Sequence, residues 1–288
     1  MTSPPGEPRR IGYLYVLPGF AAFAAFVLAP LAHAVWLSFF AWDGITVGRW
    51  VGLANYGAVV SDPALRSAFG HSLVLLVFYA VLPLLIGLLL AGVMARARVR
   101  GLALFRTILF LPQVVALVVV AVTWRMIYDP QNGALNRALH ALGLPTRAWL
   151  GDFGTALPSV GAIGTWVYFG LATVLLAAGV QKIPHSLYDA ARVDGAGPLR
   201  EFAAVTLPAL RGEIAVTLTL TTIYALRNFD LVYVTTKGGP GDATSVPAYQ
   251  VYERAFQTGQ VGSAAAIGIT LTVVIMAITL VVNRVAER

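Results

Sequence analysis

The sequence predicts an all-α membrane protein of six transmembrane helices, with a polar, cytoplasmic helical loop between the fourth and fifth. Three observations lead there. Hydrophobic residues make up 58% of the chain and charged residues only 11%, against roughly 45–50% and about 25% in soluble domains. The apolar residues gather in six blocks, at 11–40, 72–94, 104–126, 156–180, 214–234 and 263–282, each near the ~20 residues that cross a bilayer as a helix. The charges between the blocks are uneven. With both termini placed in the cytoplasm, twelve of the twenty basic residues and six of the thirteen acidic ones fall inside, so the cytoplasmic surface takes +6 of the net +7, in line with the positive-inside tendency. The bases are scattered between apolar blocks, so membrane lipid is the expected partner and nucleic acid is not.

The first block follows a short tail, residues 1–10. It contains Pro18 and Pro30, so a kinked or tilted helix is expected. Ala32, His33 and Ala34 resemble a signal-peptidase site, but the apolar run exceeds the usual ~7–15 residues of a leader and continues through Trp36, Leu37, Phe39 and Phe40; an uncleaved span is expected. Residues 96–106 form a short basic loop whose charge sits near lipid headgroups. Residues 128–153 make the longest external loop, opened by a turn at 129–133, DPQNG. In the fourth block Trp166 suits an interfacial aromatic belt. Tyr168 and Phe169 could offer aromatic surface to a sugar.

Residues 181–213 are the longest polar interval between two apolar blocks. Pro184 stops the preceding helix, and Ser186 with Asp189 has capping-box spacing, so a helix is expected from about Leu187. Gly195 can take the left-handed conformation that closes it. Gly197 and Pro198 suit the start of a second helix, ended by Thr206, Leu207 and Pro208. In the fifth block Thr217, Thr221, Tyr224 and Asn228 fall on one helical stripe. Polar groups inside a bilayer face a bundle interior or a wet cavity, which suits a polyhydroxylated solute; hydrogen bonding between helices explains the stripe equally well. Arg227 and Asp230, three apart, are expected to neutralise each other. In the sixth block Gly262, Ala266 and Gly268 make a small-residue packing surface.

Enzymatic motifs are missing. Neither of the two lysines, Lys182 and Lys237, is followed by Ser or Thr, so there is no Walker A phosphate loop. If ATP drives this chain, another polypeptide binds it. The four histidines have no metal-ligand spacing, and there is no cysteine.

The run YDAARVDGAGPLREFAAVTLP, residues 188–208, closely resembles the EAA loop of permease subunits of bacterial binding-protein-dependent ABC importers. NFDLVYVTTKGGPGDAT, residues 228–244, and YERAF, residues 252–256, look like the maltose and glycerol-phosphate type of sugar permease. NYGAVVSDPALRSAF, residues 55–69, and WLGDFGTALPSV, residues 149–160, extend the likeness over nearly the whole chain. The resemblance implies a type I importer permease fold in the bacterial inner membrane. It pairs with a second homologous permease and with two ATPase subunits that bind ATP and Mg, while an extracytoplasmic solute-binding protein delivers the solute. It implies that Tyr188, Asp189, Ala190, Ala191, Asp194, Gly195 and Ala196 couple to an ATPase subunit, with Asp189 standing where the family usually has Glu. It implies a solute site near Tyr168, Leu171, Arg227, Asn228 and Phe229, to which the stripe adds Thr221 and Tyr224. The expected function is import of a sugar or oligosaccharide. The alternatives are a glycerol-phosphate importer subunit or a self-contained secondary transporter, the latter expected to carry internal repeats and a buried carboxylate.

Overall fold

The computed structural model describes residues 9–96 and 101–286. Residues 1–8, with Arg98 and Arg100 of the basic loop and Glu287 and Arg288 at the end, lie outside the described residues. Among the described residues four helices are long and apolar enough to cross a membrane alone: Tyr13–Leu37, Pro63–Met94, Ala156–Val180 and Val261–Val285. Two helix pairs, Leu104–Val114 with Leu117–Ile127 and Pro198–Ala209 with Arg211–Leu226, bring the crossings to six when each bent pair counts as one.

The described residues divide into two compact units. One comprises the chain up to Val60 together with Val251–Thr270. It holds helix α1, which runs Arg9–Phe23, loosens into a π turn at Ala24–Leu28 and continues as Ala29–Leu37. A two-stranded hairpin follows, β1 (Phe40–Ala41) against β2 (Arg49–Trp50), and then α2 (Ala54–Ser61). Trp50 packs among Trp36, Phe39 and Phe40, with ring centroids 6.0, 5.5 and 5.1 Å away. The Asn55 amide donates to the carbonyls of Ser38 (2.8 Å) and Phe40 (2.9 Å), which pins α2 to the hairpin. Asp43 caps the hairpin turn, accepting from the N–H groups of Ile45 (2.9 Å) and Thr46 (2.7 Å). These bonds hold its carboxyl below the usual carboxylate range. Of the small residues expected to pack closely, Gly262 does so: a Cβ there would overlap the Phe40 carbonyl oxygen.

The other unit, Ser61–Gln250 with the chain from Leu271 onward, holds the core. Its second crossing, α3, starts at Pro63, nine residues before the apolar block. Asp62 caps it by accepting from the Ala64 N–H at 2.9 Å, with proline in the first turn. It passes through a π turn at Val77–Val81 and continues as Leu82–Arg96.

The third crossing is not the single helix expected at 104–126. It is α4 (Leu102–Val114) and α5 (Leu117–Ile127), bent by 93° where Val115 and Ala116 turn extended. Pro112 lies in the last turn of α4, and its missing N–H and its ring bear on the turn before it rather than on Val115 and Ala116.

The 128–153 loop contains α6 (Ala134–Ala141). Asp129 builds the expected turn by accepting from the Gln131 and Asn132 N–H groups at 3.0 and 2.7 Å. Asn136, buried, donates to the carbonyls of Pro130 (3.1 Å) and Arg147 (2.8 Å) and accepts from the Trp149 indole N–H (2.8 Å).

Helix α7 (Ala156–Val180) is the centre of this unit: 61% of its most apolar window is buried, against none for the first crossing. Glycines let its neighbours approach. At Gly170 a Cβ would overlap the Leu109 carbonyl oxygen of α4, and at Gly164 it would overlap the ring of Tyr79 from α3.

After α7 come α8 (His185–Val193) and α9 (Pro198–Ala209), which meets α10 (Arg211–Leu226) at a 70° bend on Leu210. The expected fifth span at 214–234 therefore ends early. Arg227–Asn228–Phe229 interrupts it, and α11 (Asp230–Thr235) begins anew with Asp230 in its first turn, where a carboxylate opposes the positive end of the helix dipole. The chain closes with α12 (Pro247–Tyr252, extended by a π turn to Gln257) and α13 (Val261–Ala286).

Candidate functional site

Two regions carry the expected functional residues. The first is the α8–α9 loop. Helix α8 starts at His185 with Pro184 as its N-cap, and no side chain caps it. The expected capping box is therefore absent: Ser186 and Asp189 lie inside the helix. The Leu187 N–H already bonds the Pro184 carbonyl at 3.1 Å, so the turn closes directly behind the proline.

The C-terminal end of α8 follows the expected pattern. Gly195 has φ +77, its N–H bonds the Arg192 carbonyl (3.0 Å), and the Ala196 N–H bonds the Ala191 carbonyl (2.9 Å), the paired bonds of a Schellman motif. Gly197 caps α9 and Pro198 opens it. The helix then runs on past Thr206 to Ala209 rather than ending at 206–208, with a π turn at Phe202–Thr206.

Polar contacts tie the two helices together. The Tyr188 and Thr206 hydroxyls lie 3.2 Å apart, both residues buried. Arg192 Nε donates to Glu201 Oε2 at 3.3 Å, and the Glu201 side chain is 2% exposed. A second nitrogen of Arg192 is 3.4 Å from Asp189 Oδ1. Asp189, Ala190 and Asp194 face outward, Ala191 and Ala196 are half-buried, and Val193 and Leu199 flank the turn, 88% and 85% exposed.

The second region joins α3, α7 and α10. Tyr168 of α7 is buried between Tyr79 of α3 (5.4 Å between centroids) and Tyr224 of α10 (5.1 Å, planes 8° apart). The Asn228 amide donates to the Tyr79 hydroxyl at 3.0 Å. Three expected site residues, Tyr168, Tyr224 and Asn228, are thus brought together, and Tyr79 binds them into one cluster. Sequence reasoning missed Tyr79. The available signal was a lone tyrosine in an apolar block, whose hydroxyl needs a partner, opposite a run rich in glycine.

The remaining stripe residues behave differently. Thr217 and Thr221 are buried and donate to the carbonyls of Glu213 (2.7 Å) and Thr217 (2.8 Å) one turn back in their own helix. Among the described residues neither is shown bonded to another helix. Phe229 is the last residue of the helix break and stacks on Tyr233 at 5.1 Å, while Leu171 is half-buried on α7. Arg227 and Asp230 form no ion pair among the described residues, because the break at 227–229 removes the helical register that would have set them together. Both are exposed. Trp166, 40% exposed, meets Trp124 edge-on at 5.6 Å.

The comparisons with known proteins agree with one another. The chain is 36% identical over 280 residues to a probable ABC transporter permease, YurN, of Bacillus subtilis, covering 95% of each chain. It is 34% identical over 285 residues to MalF, a trehalose/maltose transport system permease of Thermococcus litoralis, covering 96% of this chain and 94% of that one. Among solved structures, a chain of a bacterial ABC transporter that imports the acidic polysaccharide alginate superposes with a TM-score of 0.81 at 23% identity, over 96% of this chain and 95% of that one; that likeness establishes the fold. Residues 83–288, which include the α8–α9 loop and all of the second region except Tyr79, match the model of the inner membrane component of binding-protein-dependent transport systems. With a family match over most of its length and relatives above one-third identity along nearly all of it, the chain belongs to the binding-protein-dependent transport system inner membrane components, the permeases of ABC importers.

Proposed function

We propose that this permease forms, with a second homologous permease, the pathway for a sugar or oligosaccharide delivered by an extracytoplasmic binding protein, and that α8 docks on one of two ATPase subunits that bind ATP and Mg. The observation that carries this reading is the exposed α8 helix closed at Gly195 and braced on α9, inside the region matched by the family. Asp189, Ala190 and Asp194 supply the outward face of the docking helix. Tyr188 turns inward and holds it. Both termini and the 181–213 loop are placed in the cytoplasm on the charge balance.

The carbohydrate assignment rests on aromatic and amide chemistry. Tyr224, 38% exposed with one face stacked on Tyr168, leaves aromatic surface of the kind that packs on a sugar ring, and the Asn228 amide belongs to the same tyrosine cluster through Tyr79. The names of relatives such as the trehalose/maltose permease support the same class. A phosphorylated solute would call for several converging cations, and Arg227 is the single cation among the residues proposed for the site.

The test is reconstitution in proteoliposomes. Gly195→Asp should insert and assemble normally yet lose solute-stimulated ATP hydrolysis, and Tyr224→Ala should lower uptake while ATPase subunits stay bound. If the purified chain alone moved sugar without ATPase subunits, a secondary transporter would be the better description. Measuring which ligand the cognate binding protein retains identifies the solute.

A further inference from the structure

We propose that Arg192 is a positioning residue that locks the docking helix α8 to α9, so that the two move as one body about the bend at Leu210. The proposal rests on the docking role given to α8 above.

The geometry has three parts. Arg192 leaves the last turn of α8 and places Nε 3.3 Å from Oε2 of Glu201, in the first turn of α9. Glu201 is a carboxylate with its side chain 2% exposed, and a buried charge of that kind is tolerated only when it is paired and hydrogen-bonded. Arg192 is one of the groups that meet this carboxylate, and it is the one that comes from α8. On the other side of the same interface the Tyr188 and Thr206 hydroxyls meet at 3.2 Å, so α8 is tied near both of its ends. The connection between the helices is short, and Gly195 alone has a left-handed conformation there. Two ties and one turn leave α8 little freedom relative to α9.

The third part is where α9 leads. It meets α10 at Leu210, which is fully buried, across a 70° bend. Helix α10 carries Tyr224 and ends at Leu226, two residues before Asn228. A push on α8 that could swing it about Gly195 would be absorbed there. With Arg192 in place, the push is delivered to Leu210 and the helix that carries the solute-facing tyrosine. The Arg192 contact to Asp189 at 3.4 Å lies between two exposed side chains and is the weaker arm, free to yield when Asp189 finds a cation on a docking partner.

The chain has no cysteine, which makes the test clean. Nitroxides on Leu187→Cys in α8 and Ala204→Cys in α9, in the complete complex with cysteine-free partners, report the distance between the helices with and without ATP. The expected result is one narrow distance that ATP does not change. In Arg192→Ala and Glu201→Gln it broadens, and solute moved per ATP hydrolysed falls about tenfold while ATPase subunits still co-purify; Arg192→Lys restores both. A narrow distance and an unchanged ratio in Arg192→Ala and Glu201→Gln would overturn the proposal. So would loss of ATPase binding in Arg192→Ala, since the residue would then serve docking itself. If ATPase subunits failed to co-purify with the unsubstituted chain, the docking role of α8 would fall instead. Should Arg192→Ala not insert, Glu201→Gln against Arg192→Lys reads the same quantities.

Discussion

Gly170 illustrates how single residues set this architecture. A methyl group there would meet the backbone carbonyl of Leu109, and a carbonyl on a packed helix cannot rotate away as a side chain can. Overpacking of this kind costs about 1–3 kcal/mol, and the backbone neighbour places Gly170→Ala toward the upper end. We expect a lower thermal midpoint in detergent for Gly170→Ala, and none for Gly57→Ala, where a Cβ meets nothing within 4 Å; equal midpoints would refute the close approach of α4 and α7. Residue chemistry was partly legible in the sequence. Gly195 and Pro198 announced their places because positive φ and a missing N–H are properties of those residue types alone. Tyr79 did not, because its role depends on Asn228, 149 positions later in the chain.

At the scale of elements, apolar block lengths located the crossings but not their interruptions. The break at 227–229 and the bend at 115–116 lie within stretches that remain apolar enough to cross. No glycine or proline stands at 115–116 or at 227–229 to announce them, and at the second break the Asn228 amide is bonded to Tyr79. The capping-box spacing at Ser186 misled for another reason: Pro184 already fixes the extended residue from which the helix starts. The 128–153 loop owes its shape to Asn136, whose amide serves residues on both sides of α6. Asn136→Ala removes the buried amide and leaves the half-buried Trp149 N–H without its acceptor, a loss of about 1 kcal/mol or more. Faster hydrogen exchange across residues 129–149, with exchange in α7 unchanged, is the expected outcome; a loop as protected as before would mean that other contacts hold it.

For the whole molecule, the charge balance makes a directional statement that cysteine labelling can check. Val47 is 97% exposed in the hairpin and Leu199 is 85% exposed in the α8–α9 loop. In intact cells a membrane-impermeant thiol reagent should label Val47→Cys and spare Leu199→Cys, with both reacting after the membrane is opened. The reverse pattern would invert the topology and remove α8 from reach of any cytoplasmic ATPase. The number of crossings was the feature most legible in the sequence, because hydropathy is a sum over many residues and survives local error.

The bend at Leu210 has a mechanical side. Helix α9 has twelve residues, an arm of about 18 Å at the rise of an α-helix. Rotating that arm by about 10° about its inner end carries its far tip through roughly 3 Å, which is close to the difference between a hydrogen bond made and one broken. If α8 docks as proposed, this geometry acts as a lever with its fulcrum at the start of the membrane helix. Displacements of a few ångströms at the tip become small angular changes at the fulcrum, where force is traded for distance and the helix that bears Tyr224 is turned through a small arc.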